Sequence, residues 1–142
     1  MKTFKVFCLL FFLFSQVISA QWQTDTRLTF NTAVSQTSFN YGWNIASSGD
    51  TLHIQFFDER NGSYTQVYYM RSLNKGITWS AETRISNSNT FAERGTIAAN
   101  GLNIHEVWQD MRNGWEIYYR RSIDAGATWG PETRLTTDAG NS

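Results

Sequence analysis

Twenty residues of this chain occur twice, and a duplication at that spacing limits the fold more than any single motif does. Val67 to Ser86 returns fifty positions later as Ile117 to Thr136. Tyr68/Tyr118, Tyr69/Tyr119, Arg71/Arg121, Ser72/Ser122, Gly76/Gly126, Thr78/Thr128, Trp79/Trp129, Glu82/Glu132, Thr83/Thr133 and Arg84/Arg134 are identical pairs, and Val67/Ile117, Leu73/Ile123 and Ile85/Leu135 stay apolar. The tail of the unit is present a third time, because Trp22 to Thr29 lines up with Trp79 to Ser86 and with Trp129 to Thr136. Repeats of this length fall where propeller blades fall.

One repeat contains four short strand signals. Trp43 to Ala46 precedes a turn at Ser47-Ser48-Gly49-Asp50, Thr51 to Asp58 is β-branched and aromatic, and Asn61-Gly62 marks a hairpin before Thr65 to Ser72. Thr78 to Ile85 is the fourth. The second repeat follows the same plan with Gly95 to Ala99, Leu102 to Asp110, Trp115 to Ser122 and Thr128 to Leu135. The expected fold is therefore all-β, a β-propeller of four-stranded antiparallel blades, here two complete blades and one orphan outer strand. On that plan residues 21–29 are the outer strand of an incomplete blade, 30–86 and 87–136 are two blades with polar linkers, and 137–142 begin the next linker. The orphan strand needs companions from further blades of a longer chain or from other copies. Residues 21–142 alone are expected to be partly unfolded, aggregated or assembled, since repeat arrays need about three units for stability.

Lys2 and Lys5 precede the apolar run Val6 to Phe14, and Ile18-Ser19-Ala20 offers a small residue for cleavage, so residues 1–20 read as a secretory signal peptide. The run is shorter than the roughly 18 to 20 apolar residues of a membrane span. The expected location is outside the cell, at its surface or in the periplasm, with no membrane span after processing. The single cysteine, Cys8, lies in that segment, which leaves packing and hydrogen bonds to hold the mature domain. Without Lys2 and Lys5 the chain has ten basic and twelve acidic residues, a balance that argues against nucleic acid or an anionic membrane as partner. No spacing of ligands suggests a metal or a cofactor.

The octets Ser72-Leu73-Asn74-Lys75-Gly76-Ile77-Thr78-Trp79 and Ser122-Ile123-Asp124-Ala125-Gly126-Ala127-Thr128-Trp129 resemble the Asp-box, Ser-x-Asp-x-Gly-x-Thr-Trp, of sialidase-type propellers, also called the BNR repeat. The second octet fits at every fixed position, and the first departs at Asn74. Physical chemistry gives each position a turn role. The Asp or Asn oxygen accepts backbone N–H groups, Gly takes a positive φ, the hydroxyls bridge, and Trp packs toward the neighbouring sheet. A sugar or metal contact at Asp124 is the alternative, weakened by the lack of further oxygen ligands.

In an up-and-down blade the Asp-boxes lie on the rim opposite the turns after Asp58 and Asp110. The resemblance implies that substrate binds on the rim away from the Asp-boxes, which makes Asp58, Arg60, Asp110, Arg112, Glu93 and Arg94 the candidate contacts for a glycan or protein ligand. Both turns read Asp-x-Arg-Asn-Gly, and Arg can grip a carboxylate bidentately. The other reading is that each Asp caps its hairpin and each Arg pairs within the scaffold. For an exo-α-sialidase the resemblance further implies three substrate arginines, a Tyr/Glu nucleophile pair, an acid/base Asp and an Arg-Ile-Pro motif. The only proline here is Pro131, after Gly130, and Gly62 to Gln66 contains no carboxylate. The expectation is a sialidase-like, non-catalytic module, with an enzyme completed by further blades or a purely structural repeat as alternatives.

Tyr68-Tyr69 and Tyr118-Tyr119 place one ring on each sheet face and read as packing between blades. His53 and His105 align on the second strands with no ligand spacing, which suggests structural roles. In the same register Glu106 stands where the first repeat has Ile54, and it is expected to face a central channel or an exposed sheet edge.

Overall fold

The computed structural model describes residues 24–37 and 43–137. The proposed signal segment, Trp22 and residues 138–142 of the last linker lie outside them. Among the described residues there is no helix, and the strands form two antiparallel sheets. The first contains β1 (Ser35–Gln36), β2 (Ile45–Ser48), β3 (Thr51–Asp58), β4 (Gln66–Ser72) and β5 (Thr83–Arg84); β1 and β2 both pair with β3. The second contains β6 (Ala92–Asn100), β7 (Asn103–Asp110), β8 (Glu116–Ser122) and β9 (Thr133–Arg134), in chain order. From β2 to β5 and from β6 to β9, each strand lies beside its predecessor. The register repeats as the sequence does: His53 faces Arg71 across β3–β4, and His105 faces Arg121 across β7–β8.

Three departures from the expected strands have local causes. Residues 30–41 read as linker, yet Ser35 and Gln36 pair with Asp58 and Phe57, as Ala92 and Glu93 pair with Asp110 and Gln109. Together β1 and β2 occupy the place of β6, because Ile45 pairs with Ile54 as Ile97 pairs with Glu106. The fourth strand, expected over eight residues, keeps a ladder only at Thr83–Arg84 and Thr133–Arg134. Single bonds flank it, Ser80 N to Arg71 O at 2.8 Å and Ile85 N to Val67 O at 2.8 Å. In the second repeat Pro131 sits in the gap and has no N–H to donate. Third, Thr24 to Thr29 is irregular and not a paired strand. It keeps the local shape of its sister segments all the same: Arg27 Nε bonds Thr29 O at 2.6 Å, as Arg84 bonds Ser86 O at 2.8 Å and Arg134 bonds Thr136 O at 2.7 Å.

Alternation along the strands sends every second side chain into the space between the sheets. Phe57, Val67, Tyr69 and Ile85 of the first sheet meet Ala92, Ile97, Ile104, Trp108 and Tyr118 of the second. All nine are buried, and they form the main core. On the other face of the first sheet, Phe56, Tyr68 and Met70 are covered by Leu28 and Trp79. Each sheet is open, with two edges.

Candidate functional site

The Asp-x-Arg-Asn-Gly turns fold into one arrangement twice. Asp58 closes β3 and is fully buried; its carboxylate accepts Arg60 N at 2.8 Å, Arg60 Nε at 2.9 Å and Arg60 Nη2 at 2.8 Å. It also ties down the linker, accepting Ser35 Oγ at 2.7 Å and Asn31 Nδ2 at 2.9 Å. Burial opposes its ionisation, but these donors outweigh burial and bring the pKa down to about 2. The third nitrogen of Arg60 bonds Glu82. Its guanidinium lies 4.4 Å from the centroid of the Tyr68 ring, whose hydroxyl accepts Asn61 Nδ2.

The second turn is built alike. Arg112 donates to Asp110 at 2.7 Å and to Glu132 at 2.9 Å and lies 4.2 Å from the Tyr118 centroid, while Asn113 bonds the Tyr118 hydroxyl at 2.8 Å. Ser88 Oγ bonds Asp110 at 2.9 Å, so this carboxylate holds the second linker as Asp58 holds the first. Burial opposes the charge on Arg112, and the two carboxylates more than compensate, raising its pKa. Both arginines are therefore engaged by two internal carboxylates each and only about one-fifth exposed. A charge so satisfied has little left for a ligand.

Glu93 and Arg94 lie on the same rim in a different state. The β6–β7 register slips between Glu93 and Thr96, and Arg94 adopts φ +54°, a conformation uncommon outside glycine. The cause is visible beneath it. A Cβ on Gly95 would lie 1.8 Å from Nε2 of the fully buried Gln55, so the first sheet pushes a side chain under the bulge. Arg94 is turned outward, 47% exposed, with Nε 3.3 Å from Glu93 and its guanidinium 6.0 Å from the Trp115 centroid. Tyr64, also exposed, meets Phe91 edge-on at 4.9 Å, and Met111 N bonds Phe91 O at 2.9 Å. An arginine and an aromatic surface thus share this rim. Sequence reasoning missed Tyr64, Phe91, Met111 and Trp115; the available signal was an aromatic placed just after each turn, at Tyr64 and Trp115.

The two Ser-x-Asn/Asp-x-Gly-x-Thr-Trp octets make turns at the opposite end of the strands. Ser72 Oγ accepts Gly76 N at 2.8 Å, and Asn74 Oδ1 accepts Thr78 N at 2.9 Å. Ser122 and Asp124 do the same for Gly126 and Thr128 at 2.9 Å each. Asp124 also accepts Thr128 Oγ1 at 2.5 Å, and bonds from Thr128 and Ser122 hold its carboxyl well below the ordinary range. Asn74 matches that geometry by donating Nδ2 to Thr78 Oγ1 at 2.9 Å. Trp129 meets Tyr69 of the preceding sheet edge-on at 4.9 Å, while Trp79 Nε1 bonds its own turn at Gly76 O, 3.1 Å.

His53 and His105 each bond a tyrosine of their own sheet, Tyr69 at 2.6 Å and Tyr119 at 2.7 Å. Burial, with the field of Arg71, lowers the His53 pKa to about 4 and keeps the ring neutral. Glu106 faces neither a channel nor an exposed edge. It is fully buried between the sheets, and neither carboxylate oxygen has a hydrogen-bond partner. Its cross-strand neighbour Arg120 stands where the first repeat has Met70, but that guanidinium bonds Gly130 O at 2.6 Å and Ile85 O at 2.7 Å instead. Desolvation raises the Glu106 pKa well above 4.5, against the field of Arg120.

Among the described residues no cluster of three or more His, Cys, Asp or Glu could hold a metal, and no helix is long and apolar enough to cross a membrane. Comparison with family models, with curated proteins and with solved structures gave no match.

Proposed function

We propose that this chain is a stretch of an exported, sialidase-type β-propeller that recognises a glycan or protein ligand on the Asp-x-Arg-Asn-Gly rim without hydrolysing it. The Asp-box octets, their two turns and the packing of consecutive antiparallel sheets, one of five strands and one of four, support the propeller reading. The observation that carries the functional reading is the division of labour among the rim arginines. Arg60 and Arg112 each hold two carboxylates of the scaffold, whereas the exposed Arg94 has its guanidinium 6.0 Å from the Trp115 centroid, at the same end of the sheets as the aromatic pair Tyr64 and Phe91. Aromatic faces supply contact area to sugar rings and protein loops alike, and a guanidinium adds a directional grip on an acidic group. Saturation of Arg60 and Arg112 counts against their serving as carboxylate grips of a hydrolase.

The test uses glycan-array and protein-array binding by the purified protein. Arg94→Ala and Trp115→Ala are expected to abolish binding with the melting temperature unchanged. Arg60→Ala and Arg112→Ala are expected to lower stability by about 2–4 kcal/mol each, since each strands a buried aspartate, and to leave binding of the folded fraction intact. Binding retained in the Arg94 and Trp115 variants refutes the assignment. Release of the fluorophore from a sialoside substrate refutes the non-catalytic reading.

A further inference from the structure

The contact between the two sheets has a donor side and an acceptor side. The donor is a triad on the first sheet, His53, Tyr69 and Arg71. Tyr69 is 1% exposed, bonds His53 and points its hydroxyl at the second Asp-box turn, 3.5 Å from Ala125 O; Arg71 Nη1 donates to the same oxygen at 2.7 Å. The acceptor is that turn. Ala125 and Gly126 take φ of +55° and +78°, which turns the Ala125 carbonyl outward, and a Cβ on Gly126 would lie 1.8 Å from the Tyr69 hydroxyl. Glycine is required there so that the tyrosine can seat.

Both halves exist a second time without each other. On the outward face of the second sheet, His105 and Tyr119 repeat the stacked pair, with ring centroids 5.9 Å apart and 19° between planes, against 5.9 Å and 20° in the engaged pair. Arg121 completes the triad from an exposed position. At the other end, Lys75 and Gly76 repeat the left-handed turn with φ of +59° and +87°. Among the described residues the Cβ position of Gly76 meets only Leu52 and Trp79 of its own sheet, and no described tyrosine fills it.

We propose that the outward face of the second sheet binds the first sheet of a second copy of this chain, with Tyr119 and Arg121 seated on the Lys75–Gly76 turn of that copy. The contact is head-to-tail, so one copy's donor uses another's acceptor and both retain a free half. Segment 24–30 of the receiving copy must give way. Its Leu28 covers Phe56 and Met70, the position that Thr133–Leu135 of the incoming copy takes over, as Ile85 lies against the second sheet. The inference concerns the sheet faces and is independent of what the rim binds.

Complementation tests it. Tyr119→Ala/Arg121→Ala removes the donor, and Gly76→Asn fills the acceptor with a residue that tolerates a left-handed turn. In sedimentation velocity the unaltered protein is expected to form a concentration-dependent series of oligomers, and each variant alone to remain monomeric with thermal unfolding still cooperative. An equimolar mixture of the two variants is expected to form a dimer and nothing larger, because it contains one intact donor and one intact acceptor. Leu28→Asp, which loosens the covering segment, is expected to lower the concentration at half-association several-fold. A monomeric unaltered protein, oligomers that survive in either variant, or a mixture that stays monomeric would each overturn the proposal.

Discussion

Replacing Glu106 with Ile and Arg120 with Met would give the second sheet the pair that the first sheet carries at Ile54 and Met70. The two sites are cross-strand neighbours at equivalent registers, so the exchange tests what a buried polar pair costs in a setting where the apolar solution already exists. Glu106 is fully buried with two unpartnered oxygens, and an unsatisfied buried polar group costs about 1–3 kcal/mol. Glu106→Ile alone should therefore stabilise the protein by about 1–3 kcal/mol. Arg120→Met alone removes the bonds to Gly130 O and Ile85 O and should destabilise by about 1–3 kcal/mol. Because Glu106 holds its proton, the coupling between the two sites near pH 5 should stay below about 0.5 kcal/mol in a double-mutant cycle.

The pH dependence has a definite sign. With the folded pKa raised above the unfolded 4.5, the carboxyl's contribution is fully present below 4.5 and is lost as pH rises from there through the folded value. The advantage of the Ile variant over the parent should thus grow with pH above 4.5, by up to about 1.4 kcal/mol per unit. Urea unfolding of the four proteins between pH 4 and 9 measures all of this. A loss of stability in Glu106→Ile, or a coupling near the 3–5 kcal/mol expected on breaking a buried ion pair, would refute the argument.

Gly126→Ala should cost about 2–4 kcal/mol in urea unfolding, since the added carbon meets both a positive φ and the Tyr69 hydroxyl, whereas Gly76→Ala, where the nearest atom is Leu52 Cδ1 at 3.3 Å, should cost only about 1–2 kcal/mol. Equal losses would show that strain alone, and not docking, explains the glycine. Trp129→Ala should cost about 2–4 kcal/mol, below a fully buried tryptophan, because the indole is only half-buried against Tyr69; an unmoved unfolding curve would contradict the packing role. His53 has its folded pKa lowered from 6.5 to about 4, so its contribution is complete above 6.5 and disappears as pH falls toward 4. In His53→Gln that acid-side slope should be missing relative to the parent, as thermal unfolding in that range will show.

The sequence by itself determined the second and third strands of each repeat and the turns that follow them. The β-branched and aromatic content of Thr51–Asp58, the glycines at the turns and the two octets are local properties, and an octet turn closes on bonds within a few residues of itself. Asn74 could be read as a working substitute for Asp124 for that reason. The roles of charged residues were decided only in three dimensions. Arg60 could be read as a ligand contact or, as its recurrence in both repeats favours, as part of the scaffold, and only the structure shows Asp58 and Glu82, twenty-two positions away, occupying it. Glu106 read as facing a central channel or an exposed sheet edge, and the second sheet had to lie against the first before that face became interior. Arg94 stands out at a bulge made by Gln55 pressing from the other sheet against Gly95, a contact with no trace in the local sequence. Hydrogen bonding within a turn is encoded where it occurs, but the cost or use of a charge depends on what the rest of the chain places around it.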